Sequence, residues 1–480
     1  MVEIKSHTII GETWYNIVVF RKRDRAVRRG KNKVYSKNKI DDKNKVSNKN
    51  MLNKRKLLQI GFIFIALFVV IILIHRQFLN NHWKSDGITS GIKYDLPTIT
   101  ESTDFSKISN KINLFTYEYF RNMNSKDKTE NIFVSPYSLY QSMAMLSFGA
   151  HGETKTQILE SLYLTELEDK EIGENQYLLN KKLFDTKNAK VFSGNSLWLD
   201  NSLILNDKII ENFVAPIENY FHGDVFYKDL AKTSTMKEID DWASKNTEGH
   251  ISKISPELNT LDLLCLLNAV YFDSKWANAF QKSMTVEDSF YGIEKESQVS
   301  MMNITETKFK TFYTEELQGI RIPYKEDYVM EILMTNSEIN QTIQDFCKNK
   351  SVEELREIFQ LFDTKSEDIN VNLQLPKFKM VYTDKDVILI LRNLGIHNAF
   401  TIGADFTEIS KRLFIDKIFQ KTYIEVDEEG TKAFAISFTG GKMSSPRKDV
   451  KEFIVNRPFI FTIREETTDT ILFIGSIIDL

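Results

Sequence analysis

Chemistry on a polypeptide needs nucleophiles, acids or metal ligands at usable spacing, and these are sparse here. The seven histidines, His7, His75, His82, His151, His222, His250 and His397, are scattered along 480 residues. None falls in an H-E-x-x-H pattern, no G-x-S-x-G or Walker loop occurs, and "GAHGETK" lacks the Walker spacing. No metal-ligand spacing stands out, so neither a metal nor a cofactor is expected. Cys265 and Cys347 are too few for a disulfide framework. Cys265 sits in an apolar run and reads as a small buried hydrophobe; whether the two pair is left open. Asn303, Asn340 and Asn349 each open an Asn-x-Ser/Thr triplet, a glycan acceptor only on a lumenal or outer side.

The stretch with the most unusual pattern is "EEGTKAFAISFTGGKMSSPRK", Glu428 to Lys448. Thr431, Ala433, Ala435, Ser437 and Thr439 alternate with Lys432, Phe434, Ile436 and Phe438. This period of two gives a strand one small face and one mostly bulky face. Gly440, Gly441, Ser444, Ser445 and Pro446 then forbid a continued strand. Gly430 supplies a hinge with unusual backbone angles, and Glu428 and Glu429 are expected to keep its base solvated.

Composition sets the frame around these residues. The length allows two or three domains, 42% apolar content suffices for a large core, and a net charge of -3 does not favour a nucleic-acid partner. The first hundred residues differ from the rest. Lys and Arg crowd residues 21–56, making 1–56 a basic segment expected to stay disordered. "LLQIGFIFIALFVVIILI", 57–74, follows without a charge and spans about 27 Å as a helix, close to a hydrocarbon core. It is read as a transmembrane signal anchor, with a cleaved signal and secretion as the alternative. Lys54, Arg55 and Lys56 place the N-terminus in the cytosol and the rest outside or in the lumen. The basic block could also meet anionic lipid; a topology determinant is the simpler reading. Residues 75–104 are polar and read as a linker.

From 105 onward the periodicities are those of a packed body. Phe105, Ile108, Ile112, Phe115 and Tyr119 recur at helical spacing. "YSLYQSMAMLSFGA" is apolar all round and predicts a central helix entered at Ser135-Pro136. Met236, Ile239 and Trp242 share one face of another helix that stops near Gly249. "SGNSLWL", "LDLLCLLNAVYF", "YVMEILM" and "FIVNRPFIFTIR" read as strands, the second buried on both faces. Without a regular βαβ cadence this is an α+β body.

Five motifs in order give it a resemblance. "NIFVSPYSLYQSMAMLSFGAHGETKTQIL", "LLCLLNAVYFDSKWANAFQ" with Asn268 and Trp276 eight apart, "LPKFKMVYTDKDVILILRNLGIHNAF", "YIEVDEEGTKA" and "FIVNRPFIFTIREETTDTILFIGSI" resemble those of the serpins, serine protease inhibitors. The resemblance covers 105–480. It implies three β-sheets, eight or nine helices and an exposed reactive loop. It also implies a function other than an enzyme's: after a serine or cysteine endopeptidase cuts the loop, the hinge half enters the central sheet and traps the protease as a covalent acyl complex. The hinge would be Glu428, Glu429, Gly430, Thr431, Ala433 and Ala435. Family spacing puts the scissile bond between Ser444 and Ser445, with Met443 or Arg447, and Lys442 for a trypsin-like enzyme, as alternatives. The gate that opens the sheet would comprise Ser135, Ser138, Asn268, Trp276 and Gln420, with Gln420 where many members carry histidine. Phe434 and Ile436 are bulkier than family inhibitors usually allow. The alternative function is a non-inhibitory serpin, a chaperone or carrier at a membrane. A monomer is expected.

Overall fold

A computed structural model describes residues 87–480 except 125–129, 188, 204, 340, 412, 416 and 432–449. The anchor at 57–74, Asn340, Ala433, Ala435, Lys442, Met443, Ser444, Ser445 and Arg447 lie outside the described residues. Among those described, no helix is long and apolar enough to cross a membrane.

The chain opens with α1 (Ser106–Asn124), β1 (Ile132–Val134), α2 (Pro136–Ser147), α3 (Gly152–Ser161), α4 (Asp169–Phe184) and β2 (Ala189–Asp200). There follow α5 (Asp207–Ile209, continued by π-helical turns to 221), β3 (Asp224–Lys228), α6 (Thr233–Asn246) and β4 (Leu264–Lys275). Next come β5 (Val286–Tyr291), β6 (Glu296–Tyr313), β7 (Leu317–Pro323), β8 (Tyr328–Thr335), α7 (Ile343–Lys348) and α8 (Val352–Thr364). The last are β9 (Glu367–Pro376), β10 (Phe378–Asp384), α9 (Val387–Asn393), β11 (Ile418–Val426), β12 (Gly430–Thr431), β13 (Lys451–Ile454), β14 (Phe459–Glu465) and β15 (Thr470–Ile477).

These strands form two hydrogen-bonded sheets, not the expected three. One has six strands in the order β10-β11-β12-β4-β2-β3. The other has nine, β1-β15-β14-β8-β7-β6-β9-β13 with β5 on β6. The reason is β6. It pairs β5 over 296–301 at its start, β9 over 301–311 along its length and β7 over 310–313 at its end, with a register shift between Ile304 and Thr307. A bulge bends a strand without ending it, so two sheets merge through one ladder. "FIVNRPFIFTIR" is likewise two strands. β13 pairs β9 and β14 pairs β8 and β15, because Pro458 between them cannot donate to a ladder.

The central helix lies where its composition demands. Every residue of α2 is buried, and it starts at Ser135, whose side chain accepts from the Ser138 N–H with Pro136 in the first turn. β4 explains its apolar run. Leu264, Leu266, Val270 and Phe272 enter the main core, while Cys265, Leu267, Ala269 and Tyr271 join a second cluster under α6 with Trp198, Ile239 and Trp242. Cys265 and Cys347 form no disulfide and are both buried. Burial pushes the Cys347 thiol up to about 12. Residues 87–94, within the stretch read as a linker, lie on the body. Ile88 N–H donates to Val225 O at 2.7 Å, Ser90 N–H to Glu218 Oε2 at 2.8 Å, and Tyr94 packs edge-on against Tyr220.

Candidate functional site

The described part of the segment read as a hinge, 427–431, forms a turn between two strands of the six-stranded sheet. β11 and β4 run parallel and pair directly from Ile418↔Leu266 to Tyr423↔Tyr271. Above that point they part, and β12 lies between them. It is antiparallel to both: Thr431 faces Val426 on one side and Ser274 on the other. The chain reverses through 427–430. Asp427 N–H donates to Gly430 O at 2.9 Å, and Asp427 Oδ1 accepts from the Glu429 N–H at 2.9 Å. Gly430 is required by a close approach. A Cβ there would lie 2.2 Å from Ser274 O and 2.6 Å from Lys275 Cα, at φ +156°.

Thr431 points inward, as the small face of the alternation requires. It is 1% exposed, and its hydroxyl shares a 2.8 Å hydrogen bond with Tyr324 OH. Burial pushes the Tyr324 phenol well up, against the pull of that bond. Trp276 supports this turn: its ring stacks on Tyr324 with centroids 4.3 Å apart, and its Nε1–H donates to Asp427 O at 2.9 Å. Its own N–H donates to Glu429 O, and Phe280 N–H to Glu428 O. Trp276 therefore packs on the 427–431 turn.

The turn glutamates are held, not solvated as expected. Glu428 is buried, pairs with Lys377 at 2.9 Å and accepts from Thr285 Oγ1 at 2.8 Å. Burial works to raise its pKa, but Lys377, its own backbone N–H and Thr285 win and leave it below the usual carboxylate range. Glu429 pairs with Lys282 at 3.0 Å. Asp427 is raised by burial, which outweighs the N–H groups of Glu429 and Gly430.

The proposed gate lies down the same seam, under α2. Gln420 is 1% exposed and grips the Ser135 backbone at both ends. The Ser135 N–H donates to Gln420 Oε1 at 3.0 Å, and Gln420 Nε2 donates to Ser135 O at 2.9 Å. Ser135 Oγ donates across to Leu472 O of β15 at 2.8 Å, tying the two sheets. Ser138 and Asn268 form a neighbouring group centred on Asn195. Ser138 Oγ donates to Asn195 Oδ1 at 2.8 Å, and Asn268 Nδ2 donates to Asn195 Oδ1 at 2.7 Å and Ser142 Oγ at 2.6 Å. Asn268 Oδ1 has no hydrogen-bond partner among the described residues. Asn268 and Gln420 are register partners, yet their amides turn to different residues.

Of the sequon asparagines, Asn349 is exposed at the end of α7, whereas Asn303 lies half-buried in β6 and donates to Met284 O and Met301 O. Sequence reasoning missed Asn195, Ser142, Tyr324, Lys282 and Lys377. Asn195 carried a signal, a polar residue on the inward side of an apolar strand. The lysines carried none, since their roles depend on contacts across 51 and 147 residues of chain. No group of three or more His, Cys, Asp or Glu among the described residues could hold a metal ion.

A family model described as serpin (serine protease inhibitor) matches residues 110–480. Among curated relatives, the leukocyte elastase inhibitor of Xenopus tropicalis is 30% identical over 375 residues, covering 75% of this chain and 96% of that protein. Thyroxine-binding globulin of Sus scrofa is 28% identical over 411 residues, 84% of this chain and 96% of that one. Among solved structures, the thermophilic serpin tengpin in its native state superposes with a TM-score of 0.71 at 28% identity, covering 82% of this chain and 99% of that one. With a family model matched over most of its length and a relative 30% identical over 96% of that protein, the chain belongs to the serpins.

Proposed function

We propose that this serpin inhibits a serine or cysteine endopeptidase by loop cleavage and insertion. One observation carries this. Gly430 and Thr431 already occupy the position between β4 and β11 that a full inserted strand would extend, antiparallel to both. Below them the two strands are closed on each other, so the sheet has one strand's worth of pairing still to gain. The residues due to follow on the inward face, Ala433, Ala435 and Ser437, are small enough to enter without overpacking, which often costs about 1–3 kcal/mol per site.

The chemistry belongs to the protease. Its nucleophile attacks the carbonyl carbon of Ser444, the amine of Ser445 leaves, and an acyl bond joins protease to loop. Insertion then has to outrun hydrolysis of that bond. Met443 and Arg447 are the next choices before the cut. The 57–74 segment is proposed to anchor the chain with 1–56 cytosolic and the serpin body outside or in the lumen, where exposed Asn349 is better placed than half-buried Asn303 to carry a glycan.

The test is incubation with a panel of serine and cysteine endopeptidases. An SDS-resistant complex with at least one, and mass spectrometry placing the cut after Ser444, is the expected result. Cleavage with release of both partners across the panel would establish a non-inhibitory protein. One feature favours a second reading, a carrier. A cavity of about 180 Å³ lies among α1, α8 and the β14–β15 turn, lined by Leu114, Tyr117, Arg356, Phe359, Arg464 and Asp469. It is smaller than the roughly 300 Å³ at which ligand pockets usually begin, so inhibition is preferred.

A further inference from the structure

We propose that the end of the body remote from the 427–431 turn is a lipid-contacting surface, seated by Leu261 and Ile402 in the interface of the bilayer that the 57–74 run is read to cross. This rests on the reading of 57–74 as an anchor.

The ladders of the six-stranded sheet define two ends. β4 and β11 both finish at the turn, where Gly430 faces Lys275. At the other end lie their first residues, Leu264 and Ile418, together with the last residues of β2, β3 and β10. The described chain comes in at this second end. Gly87 makes an antiparallel bridge with Phe226 of β3, and Phe226 is level with Trp198 and Cys265. Ten residues of β4, about 33 Å as a strand, separate Cys265 from Lys275.

Single exposed apolar side chains are ordinary, so their placement is what counts. Ile402 is 96% exposed and Leu261 86%, and no other large apolar residue among those described passes 53%. Leu261 lies in the loop that leads into β4, and Ile402 in the turn 401–404 ahead of β11. Both loops fold onto the same end of the sheet. Asp200 N–H of β2 donates to Leu263 O at 2.9 Å, and Ile415 N–H donates to Ala399 O at 2.9 Å. Lys417 ties one lead-in to the other, donating to Asp262 Oδ2 at 2.8 Å and to Glu257 O at 2.7 Å. Half-exposed Phe414, on the lead-in to β11, and Leu389 of α9, just past the end of β10, add apolar area there.

The two tips are built to lose water without losing backbone partners. Leu261 N–H donates to Asn259 Oδ1 at 2.9 Å, and Asp262 N–H to Asn259 O at 3.1 Å. Gly403 N–H donates to Thr401 Oγ1 at 3.2 Å, and Ala404 N–H to Thr401 O at 3.0 Å. These donors are already satisfied, so seating the tips in an interface orphans none of them.

Chain length names lipid as the occupant. Twelve residues, 75–86, separate the 57–74 run from Gly87 and span at most about 43 Å fully extended. A body on so short a tether meets its bilayer at high effective concentration. Partitioning of two or three apolar side chains, too weak to bind a free protein to a membrane, then suffices to seat it. A soluble partner would gain nothing from the tether. Seated this way, the body turns the 427–431 end away from the bilayer, toward an endopeptidase in the aqueous phase.

The full-length chain in phosphatidylcholine vesicles provides the test. Cys265 and Cys347 are buried, so a thiol-reactive fluorophore reports from Ile402→Cys, from Leu261→Cys, or from Lys325→Cys at the other end, where Lys325 N–H donates to Lys275 O. Nitroxide-bearing lipid should quench the first two several-fold more than the third. Adding Leu261→Asp to the Ile402 reporter should bring its quenching down toward the Lys325 level, with the chain still floating with the vesicles. Equal quenching at all three positions in a chain that floats would overturn the surface while leaving the anchor standing. A chain that fails to float would overturn the anchor, and this inference with it.

Discussion

Thr431→Arg is the sharpest perturbation of the seam. The residue is the first inward-facing side chain of the hinge, 1% exposed, between Val426 and Ser274 and bonded to Tyr324 OH. Around it are Trp276, Tyr324 and Ser274, none of them an anion. An arginine there would leave the phenol of Tyr324 without its partner, at about 1–3 kcal/mol. It would also bury a charge without a counter-ion, an effective penalty of several kcal/mol. The total, about 4 kcal/mol or more, exceeds what the hinge pairing can return, so the variant hinge stays out of the sheet. At 1.4 kcal/mol per tenfold, even 3 kcal/mol slows the first step of insertion by about two orders of magnitude.

The assay is the number of inhibitor molecules consumed per protease molecule trapped, read from the cleaved and complexed bands on a denaturing gel. For the parent it should lie near one. For Thr431→Arg it should rise at least tenfold, with the loop cut and the protease released active. Thr431→Val keeps the volume and loses only the hydroxyl bond, so it should fall between them. An arginine variant that traps protease as economically as the parent would mean that the burial of Thr431 does not control insertion, and the reasoning would be wrong.

Other consequences are equally direct. Glu428 has a folded pKa below its unfolded value, so its pairing with Lys377 stabilises fully above about pH 4.3 and is lost as pH falls through the lower folded value. The melting-temperature gap between the parent and Glu428→Gln should therefore be constant near neutrality and close below about pH 4; a gap that widens in acid would refute the pairing. Gln420→Leu orphans the Ser135 N–H and should lower unfolding free energy by about 1–3 kcal/mol in denaturant titration. Gly430→Ala drives a Cβ into Ser274 O and should raise loop-cleavage susceptibility to an unrelated protease several-fold by expelling the hinge, with little change in global melting. Removal of residues up to 96 takes away the Ile88, Ser90 and Tyr94 contacts with 217–226 and should lower the melting temperature of the body measurably; no change would make that contact incidental.

Much of this was legible in the sequence where the signal is periodic. α1, α2 and α6 follow from apolar spacing and β4 from an apolar run, because burial imposes a pattern on the chain, whereas the two-residue alternation after Thr431 lies outside the described residues. What the sequence withheld depends on long-range closure. That β6 would fuse two sheets was hidden because a bulge at 304–307 leaves no compositional mark. That Glu428 would be buried was hidden because Lys377 and Thr285 reach it from distant segments. Gln420 was legible as a departure, but not that its amide would clasp Ser135 and leave Asn268 to Asn195 and Ser142.

The loop itself shows why alternation alone cannot decide function. Its small face answers only whether a strand can enter, since the inward slot beside Asn268 and Val270 is closed and unforgiving. Its bulky face was a fault when judged by composition, because nothing in the sequence says what lies above the sheet. The packed strap of Ile251 and Ile254 over Leu267, and His250 over two tyrosines, supply an apolar and aromatic surface on that side. Phe434, Ile436 and Phe438 on an inserted strand would bury against such a surface, each worth about 1.5–3 kcal/mol if fully covered. Bulk outward then adds driving force to insertion at the cost of a slower start, since the strap must lift before the rings can pass. Trapping then requires that this delay stay shorter than deacylation.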